Sequence, residues 1–89
     1  MSYRVEVLPR ARMQLRKLPQ DVQKRIRKAI GELSEEPRPP GVSKLRGYND
    51  RWHVRVGQYR IIYEIDDQVL RVLVLTISDR SQSYTKRYR

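Results

Sequence analysis

Arg51-Trp52-His53-Val54-Arg55-Val56-Gly57-Gln58-Tyr59-Arg60-Ile61-Ile62-Tyr63-Glu64-Ile65 is the stretch on which the fold turns. Trp52, Val54 and Val56, then Tyr59, Ile61, Tyr63 and Ile65, alternate with more polar residues, the periodicity of strands with one buried face. Gly57-Gln58 interrupts the alternation for the length of a tight hairpin loop. Pairing the runs across that loop sets Val56 opposite Tyr59, Arg55 opposite Arg60, Val54 opposite Ile61 and His53 opposite Ile62. One face then carries Trp52, Val54 and Ile61. The other carries His53, Arg55 and Arg60, with Arg51 and Glu64 further along it. Two guanidinium groups directly opposite each other oppose folding by ~0.2–1 kcal/mol, a cost that a shared anion removes. Trp52 and Tyr63 fall on the apolar face and are expected in the core.

Downstream, Asp66-Asp67-Gln68 separates the hairpin from a third apolar run, Val69 to Ile77, and so short a link favours a further antiparallel pairing. Upstream, Glu36-Pro37-Arg38-Pro39-Pro40-Gly41 marks a change of period. Before it, Val22, Ile26, Ala29, Ile30 and Leu33 recur at helical spacing, with Lys24, Arg25, Arg27 and Lys28 facing outward. Pro19 suits the first turn of that helix and ends the one before it, which opens at Pro9 and presents Ala11, Leu15 and Leu18. Tyr3, Val5 and Val7 alternate with Arg4 and Glu6 as a short first strand expected at a sheet edge. The expected architecture is α+β: two N-terminal helices on a small antiparallel sheet, one domain spanning residues 1–89.

The chain is 89 residues long, with 38% hydrophobic and 34% charged residues, enough for one core but not for several domains. It has no apolar run near the roughly 20 residues that a bilayer crossing needs. It has no cysteine and a single histidine, so disulfides and thiol nucleophiles are excluded. An ordinary transition-metal centre is not expected, and no metal or other cofactor is implied. Its start, Met-Ser-Tyr-Arg-Val-Glu, lacks a signal peptide's apolar stretch, and a cytoplasmic location is expected. Twenty Lys and Arg against ten Asp and Glu give a net charge of +10, which suits a polyanionic partner. The last nine residues, Ser81 to Arg89, interleave cations with Tyr84 and Tyr88, a composition suited to stacking unpaired bases while Lys86 and Arg87 meet phosphates.

Several motifs, in order and spacing, resemble the RelE/ParE toxin superfamily and its RelE-like members in particular. They are Tyr3-Arg4-Val5, Arg16-Lys17-Leu18-Pro19, Glu36-Pro37-Arg38-Pro39, Lys44-Leu45-Arg46-Gly47 and, above all, Trp52 to Tyr63, followed by Asp66-Asp67, an apolar strand, Arg80 and Tyr84. The resemblance covers nearly the whole chain. It implies a microbial-RNase fold and an endoribonuclease that enters the ribosomal A site and cleaves the exposed mRNA codon. In that family the RNA 2′-hydroxyl attacks the adjacent phosphate without metal, leaving a cyclic phosphate and a free 5′-hydroxyl. By position, Arg60 resembles the arginine at the scissile phosphate, Arg80 the one near the leaving group, and Tyr84 the late stacking tyrosine. Arg55 and His53 fall where these enzymes carry basic residues. His53 is the candidate base, because an imidazole of pKa about 6.5 accepts a proton at neutral pH and a guanidinium of pKa above about 12 does not. Lys44, Arg46, Arg51, Lys86 and Arg87 are candidate RNA contacts.

One departure is visible. Many relatives carry Gly-His-Arg after the last strand, where this chain has Ser78-Asp79-Arg80. A mechanism using that histidine is therefore weakened, which leaves His53, Asp79 or a ribosomal group to supply proton transfer, with neutralising or orienting Arg80 the favoured role for Asp79. The resemblance also implies a cognate antitoxin, the 70S ribosome with its A-site mRNA, no membrane partner, and operator DNA bound by the toxin–antitoxin complex through the antitoxin. Two other readings share these features: a ParE-like DNA gyrase inhibitor, and a catalytically silent RNA- or antitoxin-binding module.

Overall fold

The computed structural model describes residues 2–45, 47 and 51–79. Strand β1 (Arg4–Val7) leads into helix α1 (Pro9–Arg16) and helix α2 (Gln20–Glu32). Strands β2 (Ser43–Lys44), β3 (Arg51–Val56), β4 (Tyr59–Asp66) and β5 (Arg71–Asp79) follow. They form one five-stranded sheet in the order β1-β5-β4-β3-β2. The α+β expectation and the antiparallel meander hold. The first strand also lies at an edge, but it runs parallel to β5, so the sheet is mixed. No described helix is long and apolar enough to cross a membrane.

The helices begin and end where proline permits. Pro9 occupies the first turn of α1, where a missing N–H costs nothing. At the other end, Gln23 of α2 donates from Nε2 to the Leu18 carbonyl at 2.8 Å and the Arg16 carbonyl at 3.3 Å. A side chain of the second helix thus satisfies acceptors that the first leaves open. Ala11 and Leu15 of α1, and Val22, Ile26 and Ile30 of α2, are buried. They meet Ile61, Tyr63, Ile65, Val72, Val74 and Ile77 from the sheet in one core.

The hairpin register is the one the sequence predicts, from Val56 opposite Tyr59 through Arg55 opposite Arg60 to Arg51 opposite Glu64. Gly57 takes φ 62° while Gln58 does not take a positive φ, the pattern of a turn whose first central residue must be glycine. The next connection is longer than predicted. Asp66 Oδ1 accepts from the Gln68 N–H at 3.0 Å and the Val69 N–H at 3.4 Å, and Leu70 turns the chain at φ 54°. Strand β5 therefore starts at Arg71, not Val69, which is left exposed. A bulge between Ile62 and Tyr63 of the β4–β5 pairing then shifts the register. Consequently Val72, Val74 and Ile77 all reach the core although their spacing is not uniformly two.

Past Val74, the β5 edge that β1 pairs with has no further strand among the described residues, and α1 closes it. Gln14 Oε1 accepts the Ile77 N–H at 2.7 Å and the Thr76 hydroxyl at 2.9 Å. The proline-rich connection is fastened to the far end of the sheet. Tyr63 donates its hydroxyl to the Pro37 carbonyl at 2.7 Å, and Arg38 grips both oxygens of Asp67, at 2.8 and 3.3 Å. Tyr3 adds a 2.6 Å hydrogen bond to Asp67.

Candidate functional site

Both helices pack on one face of the sheet, no described helix covers the other, here called the open face, and strand alternation decides what stands there. Ile61, Tyr63 and Ile77 point into the core, so their neighbours Arg60, Ile62 and Ser78 point away from it. Cross-strand pairing then lines up Arg55 of β3, Arg60 of β4 and Ser78 of β5 in one row. Directly opposed residues in such a ladder have Cα atoms about 4.5–5.5 Å apart, so both arginines can reach one small anion. His53 lies two residues before Arg55 on the same face, opposite Ile62 on one side and Ser43 on the other.

The electrostatics of this face suit a neutral histidine. Burial lowers the His53 pKa from its usual 6.5, and the positive charges of Arg60 and Arg55 lower it further. At neutral pH the imidazole is therefore uncharged and able to accept a proton. Its Nδ1 is buried and has no hydrogen-bond partner among the described residues, and the Ser78 hydroxyl is in the same condition. Buried polar atoms of this kind are rare in folded proteins and call for an explanation.

The remaining predicted residues divide. Arg51 is on the open face but is engaged with Glu64, its cross-strand neighbour, at 3.2 Å. Lys44 pairs with Trp52 and so lies on the helix side, its Nζ 5.9 Å from the Trp52 ring centroid. Arg38 stands 5.1 Å from the same centroid, so Trp52 is part core residue and part seat for two cations. Asp79 pairs with Tyr59 on the helix side and accepts a hydrogen bond from Gln58 at 3.1 Å. Arg46, Arg80, Tyr84, Lys86 and Arg87 lie outside the described residues. The sequence reading did not single out Ser78 as a site residue. Its signal was only the register of β5, which the longer turn and the bulge displace.

A small basic domain with helices on one sheet face and a cationic row on the other is the kind of scaffold that handles nucleic-acid phosphates. The family model for the ParE toxin of the type II toxin-antitoxin system parDE matches residues 5–84. Toxin RelG of Mycobacterium tuberculosis is 33% identical over 87 residues, which is 97% of this chain and 100% of that protein. The mRNA interferase toxin RelE of Escherichia coli is 31% identical over 85 residues, 93% of this chain and 88% of the relative. Among solved structures, the archaeal RelE–RelB complex from Pyrococcus horikoshii superposes with a TM-score of 0.82 at 29% identity, covering 92% of this chain and 99% of that one. The RelBE2 toxin–antitoxin complex from M. tuberculosis gives 0.78 at 33% identity, covering 90% and 100%. The chain belongs to the RelE/ParE family of type II toxin–antitoxin toxins, on its RelE-like side.

Proposed function

We propose that this toxin is a ribosome-dependent endoribonuclease that cleaves mRNA in the A site and so stops translation. The observation that carries the reading is the opposition of Arg55 and Arg60 on the open sheet face, with a neutral His53 beside them. In the reaction the 2′-oxygen of one nucleotide attacks the phosphorus that follows it, and the P–O5′ bond breaks. His53 takes the 2′-hydroxyl proton. The products are a 2′,3′-cyclic phosphate and a 5′-hydroxyl, whose oxygen picks up its proton from solvent or from the ribosome. Arg55 and Arg60 offset the extra negative charge that develops on the phosphoryl oxygens, a preorganised electrostatic role. Arg80 and Tyr84 remain assigned by family position, to the leaving group and to base stacking. The route uses no metal, and its site of action places the protein in the cytoplasm.

The proposed regulator is a cognate antitoxin of the kind named in the complexes of the structural neighbours. A groove of about 600 Å³ between β1 and the helices supports this, its floor apolar with Val5, Val7, Leu15 and Ile30 and its charged lining Arg12 and Arg27 against the one carboxylate of Glu6. It suits an amphipathic, acidic segment. Operator DNA would be reached through that antitoxin.

The test is cleavage of end-labelled mRNA by purified protein, with and without programmed ribosomes whose A site is empty. Cleavage only with ribosomes supports the reading. A folded protein that cuts nothing, yet blocks gyrase supercoiling, supports instead the reading as a ParE-like gyrase inhibitor.

A further inference from the structure

The cationic row does not end at the arginines. Ser78 stands directly across from Arg60 on β5, on the open face. Its hydroxyl is buried and no described residue bonds to it. A serine hydroxyl rotates freely enough to find a partner wherever one is in reach. A sheet position that buries this oxygen without one leaves a donor waiting.

We infer that Ser78 is a third phosphate ligand of the site, donating its hydroxyl hydrogen to a non-bridging oxygen of the scissile phosphate that Arg55 and Arg60 flank. The inference rests on the endoribonuclease reading and extends it to a residue outside the family's basic positions. A phosphate on this row meets charge from Arg55 and Arg60 and a short neutral donor from Ser78. A hydroxyl fixed to the neighbouring strand distinguishes one non-bridging oxygen from the other, which holds the phosphorus in line with the attacking 2′-oxygen. No proton is transferred to or from Ser78 in this role; it contributes a hydrogen bond that strengthens as negative charge accumulates.

The experiment is single-turnover cleavage on programmed ribosomes by wild-type protein, Ser78→Ala and Ser78→Thr, using mRNA with oxygen or sulfur at each non-bridging position of the scissile phosphate. Circular dichroism and thermal melts confirm that each variant is folded. Ser78→Ala is expected to keep its stability and to slow cleavage on the order of 10- to 100-fold, less than the ~10²–10³ of a principal oxyanion donor because both arginines remain. Wild type is expected to be slowed more by sulfur in one diastereomer than in the other, since sulfur accepts hydrogen bonds weakly. Ser78→Ala is expected to lose that discrimination and Ser78→Thr to retain it. A purely structural serine would leave the diastereomer ratio unchanged in Ser78→Ala, and that result, or a wild-type rate, overturns the assignment. Should folded wild-type protein cut no ribosome-bound mRNA at all, the endoribonuclease reading itself is wrong and this role goes with it.

Discussion

Arg55 and Arg60 occupy directly opposed positions on adjacent antiparallel strands, on the face that the helices leave uncovered. Like charges so placed disfavour the ladder by ~0.2–1 kcal/mol, so this arrangement is one that stability alone would select against. Arg60→Ala relieves that repulsion, and the variant is expected to stay folded with a cooperative melt. In the same variant, single-turnover cleavage on ribosomes should fall by at least about 10², the scale of losing a transition-state charge partner. Calorimetry and cleavage on the same sample separate the two effects. An undiminished rate would remove Arg60 from the chemistry.

His53 makes the pH dependence specific. Its pKa is below the usual 6.5 because burial and then the charges of Arg60 and Arg55 disfavour the imidazolium. A base must be unprotonated, so the cleavage rate should rise with pH along an acidic limb and be level by pH 7. His53→Gln should slow cleavage and abolish the limb, and a profile with the limb intact would exclude His53 as base. The stability linkage has the same direction. The unfolded chain binds this proton more readily than the folded one, so stability declines as pH falls through 6.5 and stops declining below the folded pKa.

The hairpin was legible because its two strands alternate without a break and its loop has only one compatible length, so register and face followed together. The contents of the open face were legible with it: His53, Arg55 and Arg60 stand where alternation puts them. The other strands were not so transparent. β1 pairs with β5 across most of the chain, and nothing local to Arg4–Val7 says whether that pairing is parallel. β2 is two residues long, Ser43 and Lys44, and carries no apolar period at all. In β5 the Asp66-capped turn and the bulge move the register, so Ser78 ended opposite Arg60 for reasons that no periodicity rule contains.

Tyr63 ties the proline-rich connection to the core. It is fully buried, and its hydroxyl meets the Pro37 carbonyl at 2.7 Å. Tyr63→Phe keeps the ring but leaves that buried carbonyl without its donor, which should destabilise the fold by ~1–3 kcal/mol. Burial also pushes the Tyr63 pKa from 10.0 up to about 12. The folded chain thus retains a proton that the unfolded chain loses, and stability should drop as pH rises between those values. Denaturant melts of wild type and Tyr63→Phe across that range check both statements: the variant starts lower at neutral pH and loses less on the alkaline side.

Gln14 does for the β5 edge what a sixth strand would otherwise do. β1 stops pairing at Val74, and beyond it the Ile77 N–H and the Thr76 hydroxyl both donate to the single oxygen Gln14 Oε1. An edge strand with open donors is a template for pairing with another chain, so the side chain also guards against association. Gln14→Ala removes the acceptor from two part-buried donors and should cost ~1–3 kcal/mol. For a domain of this size that corresponds to a fall in melting temperature of roughly 4–8 °C per kcal/mol. Gln14→Glu keeps an oxygen in reach of both donors and should lose less than Gln14→Ala does. If the two variants melt together, the hydrogen bonds contribute nothing and helix packing alone covers the edge. If Gln14→Ala also sediments as larger species at concentrations where Gln14→Glu remains a single species, the side chain protects the edge as well as bonding to it.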